Sequence, residues 1–386
     1  ARWWLDRGVD GFRLDTANLY FHSRSLTDNP PAPEGRRGPS PVLMQQHLHN
    51  ADQPETPRFL QRLRALMDRY PGRMAVAEIG GFDPLPTMIE YTRGNDRLHT
   101  AYSFAFLGER PDAAKVLQAL APWNGGGAAS AGDLDGSQAW PSWAFSNHDA
   151  PRVATRWGQG TAGAFAFGGR DDAEAGRARR AGASPVTWLA LLLALRGTVF
   201  LYQGEELGLP QSTLRFEDLR DPYGLAHWPL NPGRDGCRTP FPWKADAPNA
   251  GFSSAERPWL PVDPAHAALA VDRQLADPIS TLQATRALLA LRRAHPALRH
   301  GSFEPLVAEG DVLVVRRRHA DAADGPFTDD LLLAFNLGPT DQALPLPLLL
   351  PVPGATCTPL FTHIGARADG PRLVLPAGGA LFARLA

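Results

Sequence analysis

Short continuous apolar runs alternate along the chain with stretches whose apolar positions recur every three or four residues. GFRLD (11–15), MAVAEI (74–79), TAYSF (100–104), AWPSWAFSNHD (139–149, extended toward its end) and GTVFLYQGEE (197–206) read as strands. Continuous rather than alternating apolarity marks strands covered on both faces. The clearest helix is TPRFLQRLRALMDRY (56–70). Phe59, Leu63, Leu66, Met67 and Tyr70 repeat there at helical spacing, Thr56 can cap it, and Pro57 suits the first helical position. The longest apolar run, VTWLALLLALRGTVFLY, is interrupted by Arg196 and Gly197, so it reads as a buried helix followed by a buried strand rather than a membrane span. Strands alternating with helices predict βα units and a parallel sheet.

After about residue 300 the texture changes. A helix over 280–295 gives way to short alternating runs: DVLVVRRRH (311–319), DDLLLAFNL (329–337), RLVLP (372–376) and GALFARL (379–385). Separated by Gly, Pro and Asp, they predict a small antiparallel β domain. Three long stretches have no period: 27–42, 158–185 and 221–253. The first and third read as a lid or rim. The second leaves a functional insert and simple disorder equally open.

Charge narrows the partners. Lys and Arg number 39 against 40 Asp and Glu, a net charge of -1, so no basic patch points to nucleic acid or an anionic membrane. Two cysteines, Cys237 and Cys357, are too few for a disulfide framework and fit no metal spacing. A reducing compartment is compatible with them. With no signal peptide visible, the expectation is a cytoplasmic protein that uses no cofactor and no metal. Its oligomeric state is not readable.

The chemistry gathers at strand ends. Asp15, Glu78 and the Asn147-His148-Asp149 run each close an apolar strand, and Tyr202, Gln203, Glu205 and Glu206 close another. In a parallel barrel the C-terminal strand ends share one face, where catalytic groups collect. Arg13 and Asp15, two apart on a strand, point the same way. The guanidinium favours an ionised carboxylate, as a nucleophile requires, although a plain buried ion pair has the same pattern. Glu78, in apolar surroundings, is expected to hold its proton and act as a general acid, or else to pair with a loop. Asp149 reads either as a site carboxylate or as the cap of a following helix opened by Pro151. His148 reads as a site imidazole or as a satisfied core histidine. Two carboxyls with opposed pKa demands and a third beside them are the parts needed to cleave a glycosidic bond. All three acids must then converge around one small cleft. Tyr20, Phe21, Phe104, Trp143, Trp228 and Trp243 can stack on sugar faces, with ordinary core packing as the alternative.

These residues resemble a known family. GVDGFRLD, AVAEIGG and FSNHD resemble the second, third and fourth signature segments of glycoside hydrolase family 13, the α-amylase family, and GTVFLYQGEELGLP resembles its segment on the last barrel strand. GRDGCRTPFPW, LTDNPP, HNADQPETP and EYTRGNDRLHTAYSF are similar to its α-glucosidase and oligo-1,6-glucosidase branch. The resemblance implies an α/β chain: the C-terminal part of a (β/α)8 TIM barrel, about strands 4–8, over 1–299, then an antiparallel β-sandwich domain over 300–386. The first signature segment and the B domain have no counterpart, so the resemblance implies an N-terminally truncated, retaining α-glucosidase. It assigns Asp15 as nucleophile, Glu78 as acid/base, and Asp149 as the carboxylate that holds sugar hydroxyls. Arg13 would orient Asp15, and Asn147, His148 and Arg234 would bind substrate, with Arg238 near Arg234. Thr16 follows the choice of enzymes that prefer α-1,4 links. The implied substrate is an α-glucoside or malto-oligosaccharide. A transglucosylase acting on maltose or sucrose shares the same groups, and an inactive fragment or a non-catalytic sugar-binding barrel is the reading from outside the class. A dehydrogenase is disfavoured because no G-x-G-x-x-G follows a strand.

Overall fold

A computed structural model describes residues 1–34, 44–81, 84–123, 139–158, 183–321, 326–352 and 354–386. The chain forms two compact units. One is built mainly from Ala1–Ala105 and Gln118–Trp143, the other mainly from Phe106–Leu117, Ala144–Ala166 and Arg170–Ala386.

In the first unit, β1 (Gly11–Leu14), β2 (Met74–Glu78), β3 (Thr100–Tyr102) and β4 (Pro141–Ala144) pair in sequence order, all parallel. Parallel neighbours require crossovers, and the helix Glu55–Met67 lies between β1 and β2 as expected. Gly11 opens β1 where a side chain has no room: a Cβ would sit 1.9 Å from the Met74 carbonyl oxygen. The 55–67 helix differs from expectation at its start. It begins one residue earlier, its cap position is Pro54, and Thr56 is buried inside it without capping. Its inward face is centred on Leu60 and Met67, while Phe59 is exposed and packs against Tyr20 and Phe21.

The second unit contains the most apolar helix, Pro185–Ala194, on which every residue from Val186 to Ala194 is buried. Ser184 caps it in a reciprocal box with Thr187. β5 (Thr198–Phe200) follows it, completing the expected strands. Among the described residues no helix is long and apolar enough to cross a membrane. The helix Thr281–Ala294 starts at Ser280, whose side chain accepts from the Gln283 amide.

The C-terminal strands form two antiparallel sheets. β6 (Glu304–Glu309), β7 (Val312–Ala320), β8 (Phe327–Asn336), β10 (Cys357–His363) and β13 (Ala380–Leu385) make one, in the order β10-β13-β8-β7-β6. β9 (Gln342–Pro345), β11 (Arg367–Asp369) and β12 (Arg372–Leu375) make the other. Val312, Val314, Leu332, Ala334, Leu381 and Ala383 from the first sheet share a core with Leu373 and Leu375 from the second. This is the sheet-on-sheet packing of a sandwich. The parallel strands and these antiparallel sheets together fit a partial TIM barrel followed by a β domain.

Of the three aperiodic stretches, most of 158–185 and residues 35–42 of the first lie outside the described residues. The third, 221–253, is built from short turns and one helix, Pro222–His227.

Candidate active site

The residues singled out from the sequence fall into two constellations, one in each unit. The first sits at the C-terminal ends of β1 and β2. The ladder places Arg13 beside Val76 and Leu14 beside Ala77. Carried one residue further, that register sets Asp15 level with Glu78. Arg13 serves both carboxylates: Nη1 donates to Asp15, and Nη2 donates to Glu78 Oε2 at 2.5 Å. The two acids differ in their access to water. The Asp15 side chain is 69% exposed, that of Glu78 only 9%. Burial pushes the Glu78 carboxyl up to about 7. Its hydrogen bond with the Asp15 carboxyl and the Asp15 charge act in the same direction, while the Arg13 cation and the Thr16 backbone amide oppose them. A carboxyl that keeps its proton up to about 7 is how a site obtains a general acid near neutral pH.

The chain turns sharply after Asp15. Thr16 takes a left-handed backbone, φ 41°, uncommon for a β-branched residue, and opens a short 3₁₀ turn, Ala17–Leu19. Buried Asn18 in that turn donates to the Gly80 carbonyl at 3.0 Å, which ties the loop after β1 to the loop after β2. Sequence reasoning passed over Asn18. Tyr20, half exposed, lies close enough to Asp15 that burial and then the Asp15 charge raise its phenol.

The second constellation follows β4. Asn147, buried, spends its side-chain oxygen on the backbone amides of Asp149 (2.9 Å) and Ala150 (2.8 Å), so it shapes the turn that presents Asp149. Asp149 does not cap the next helix, Val153–Arg156, which begins after Arg152. Its Oδ1 accepts from Arg234 Nη1 at 3.1 Å and Arg238 Nη2 at 2.8 Å, and its Oδ2 lies 3.4 Å from His148 Nε2. The His148 ring is exposed rather than packed as a core histidine, and its carbonyl accepts from Arg238 Nε at 2.7 Å.

Arg234 is itself clamped. Asp221 accepts from its Nε at 2.9 Å, from its Nη2 at 2.7 Å and from its backbone amide at 2.8 Å. This fork-to-fork pairing is the strong form of a charged hydrogen bond, and it holds the buried Asp221 carboxyl down to about 2. Asp221 is fixed in turn by Asp235, whose Oδ2 accepts from the amides of Arg220 (2.6 Å) and Asp221 (2.7 Å). Asp221 and Asp235 were not singled out in the sequence. The Asp-Pro step at 221–222 is a visible helix-start signal, and Asp221 does accept from the Tyr223 amide there, but its pairing with Arg234 is long-range.

Other expectations resolve differently. Glu205 faces inward: it is buried, accepts from the Tyr202 amide at 2.7 Å, and burial pushes its carboxyl up to about 7. Glu206 accepts from the Gly204 amide. Both carboxylates at the end of β5 are occupied by their own turn. Trp143 is core, 1% exposed and edge-on to Trp123, and is not a surface for sugar. Phe104 packs edge-on to Tyr102. Trp228 and Trp243 are exposed, beside Phe216 and Phe241 respectively.

Parallel βα strands with acids at their C-terminal ends are the arrangement of a TIM-barrel enzyme domain, and comparison with known proteins makes the class specific. Residues 1–301 match the family model for the α-amylase catalytic domain, and the chain belongs to that family. A probable alpha-glucosidase of Rhizobium meliloti (strain 1021) is 40% identical over all of this chain and 64% of its own length. An oligo-1,6-glucosidase of Parageobacillus thermoglucosidasius is 28% identical over 82% of this chain and 55% of its own. Among solved structures, the alpha-glucosyl transfer enzyme XgtA is 40% identical, with a TM-score of 0.80 over 99% of this chain and 65% of that one. The chain thus spans less than two thirds of the length of these relatives.

Proposed function

We propose that these residues carry the catalytic carboxylates of a retaining α-glucosidase acting on maltose-type disaccharides and oligosaccharides. The observation that carries this reading is the pair at the ends of β1 and β2. An exposed Asp15 and a buried Glu78, with its carboxyl near 7, share one guanidinium. In the first step the Asp15 carboxylate attacks the anomeric carbon, the glycosidic bond breaks, and Glu78 delivers its proton to the departing oxygen. In the second, Glu78, now ionised, takes a proton from water as that water displaces Asp15 and frees the sugar. Asp149, its lone pairs directed by Arg234 and Arg238, is assigned to the sugar hydroxyls, with His148 beside it. The exposed Thr16 next to Asp15 is assigned to linkage preference, toward α-1,4.

Transfer to a second sugar in place of water uses the same carboxylates, and the 40% identity to an alpha-glucosyl transfer enzyme favours this second reading. Product analysis with maltose, and separately with sucrose, at high concentration decides between them. Glucose alone from maltose, and glucose with an equal amount of fructose from sucrose, mark a hydrolase; new oligosaccharides or isomers mark a transferase. Absence of turnover on any α-glucoside by the folded protein rejects both.

A further inference from the structure

Close in sequence to the second constellation stands a guanidinium whose hydrogen bonds go to backbone carbonyls and not to the carboxylates of either constellation. Arg152, three residues after Asp149, is 1% exposed and among the largest fully buried side chains. Burying a cation is costly unless its donors are satisfied. Here two carbonyls accept from it, Gln203 O from Nη1 at 2.6 Å and Cys237 O from Nη2 at 3.0 Å, while Nε is buried without a hydrogen-bond partner among the described residues. The Tyr202 hydroxyl donates to the same Cys237 carbonyl at 3.0 Å. The Arg152 amide is held as well, donating to Gln211 Oε1 at 2.9 Å.

Cys237 is placed so that holding it has consequences. It is wholly buried in a 3₁₀ turn, Asp235–Cys237, flanked by Arg234 and Arg238. Those two side chains are the ones that grip Asp149 Oδ1. Both the Cys237 amide (3.2 Å) and its Sγ (3.0 Å) donate to the Arg234 carbonyl, so the turn is closed by two hydrogen bonds. The segment carrying Asp149 and the turn carrying its two arginines are therefore cross-braced from inside by a residue of the first gripping the backbone of the second.

We infer that Arg152 is a positioning residue for Asp149: through the Cys237 carbonyl it fixes the turn from which Arg234 and Arg238 aim at that carboxylate. This rests on the proposed function only for its kinetic consequence. A Lys at 152 keeps the charge but loses the two-pronged reach to Gln203 and Cys237. A bracket that sets ångström-scale placement is worth up to about 100-fold in rate when lost.

The test is Arg152→Lys in wild-type and in Arg238→Ala backgrounds. The expected result is a fall in kcat/KM of roughly 10- to 100-fold in the first and less than about threefold in the second, because part of what Arg152 positions is already gone. A lowered Tm with kcat and KM of the folded protein unchanged, or the same loss in both backgrounds, overturns the inference. Should Arg152→Lys fail to fold, Tyr202→Phe decides, since it removes one hydroxyl from the same carbonyl: a lowered kcat/KM sustains the bracket and unaltered kinetics reject it. Should the unsubstituted protein turn over no α-glucoside, the functional reading fails separately. A crystal structure of Arg152→Lys then reads the bracket directly, with an intact 2.8 Å Arg238–Asp149 contact counting against it and a broken one for it.

Discussion

Asp15 and Glu78 end neighbouring parallel strands at the same level, and a single guanidinium, Arg13, reaches both. Asp15 helps set the state of Glu78: by hydrogen bond and by charge it is part of what keeps Glu78 near 7. The two are therefore one chemical unit. Asp15→Asn and Glu78→Gln should each lower hydrolysis of an α-glucoside by about 10³-fold or more, with the fold intact by circular dichroism. Asp15→Asn should also move the Glu78 titration, followed by carbon NMR of the labelled carboxyl, to lower pH. A Glu78 titration unmoved by the loss of Asp15 contradicts the coupling.

The same geometry sets a pH profile. With Glu78 as acid at about 7, kcat/KM falls on the alkaline side as the proton is lost from the free enzyme. Arg13 favours the ionised form of Glu78, so its removal raises the carboxyl further. Arg13→Met should shift the alkaline limb to higher pH while reducing the maximum, since Asp15 loses its partner too. An alkaline limb shifted to lower pH would show that Arg13 acts on Glu78 in some other way.

Asp221 anchors Arg234 rather than touching the sugar in the assignment above. Its carboxyl, held down to about 2 chiefly by the Arg234 hydrogen bonds, contributes stability that is complete above the ordinary carboxylate value of 3.8 and is lost as pH falls toward 2. Asp221→Asn should remove that acid dependence and release Arg234. KM should rise about tenfold with a smaller change in kcat, because the pair orients Asp149 before the bond breaks. Calorimetry between pH 2 and 5, compared with wild type, reads the stability part; identical acid unfolding in the two proteins contradicts the assignment.

How much of this was legible in the sequence follows from what determines each feature. The five barrel strands were readable as unbroken apolar runs, although of them β4 alone is buried along its whole length while β1 and β5 are largely half-buried, and Asp15 and Glu78 stand out because each interrupts such a run. Element edges were less readable. Nothing local told that Leu60, not Phe59, would turn inward on the helix Glu55–Met67. β6, β9, β10 and β11 escaped because they carry prolines or exposed polar residues at sheet edges. Arg317 in VLVVRRRH looks like a solvent residue, yet it is wholly buried and donates to the carbonyls of Ser302 and Ala194. Asp221, Asp235 and Arg152 belong to the same class: their partners lie 13 to 85 residues away, and only the folded chain pairs them.

Glu205 shows the cost of placing a carboxyl fully inside. Burial lifts it from 4.5 to about 7, and the Tyr202 amide, the Ser146 hydroxyl and the Arg156 charge only partly offset that rise. Its folded value thus exceeds its unfolded one, so between about 4.5 and 7 the folded state binds more protons. Stability must then fall with rising pH across that window and stay lower above it. Glu78 adds a component of the same sign, which is why the comparison has to be made between proteins rather than between pH values. Glu205→Gln keeps an acceptor for the Tyr202 amide and removes the ionisation. Its unfolding free energy, from urea titrations, should match wild type near pH 5 and exceed it at pH 8 by ~1–3 kcal/mol. A constant difference at both pH values would mean that the Glu205 carboxyl does not take up its proton on folding.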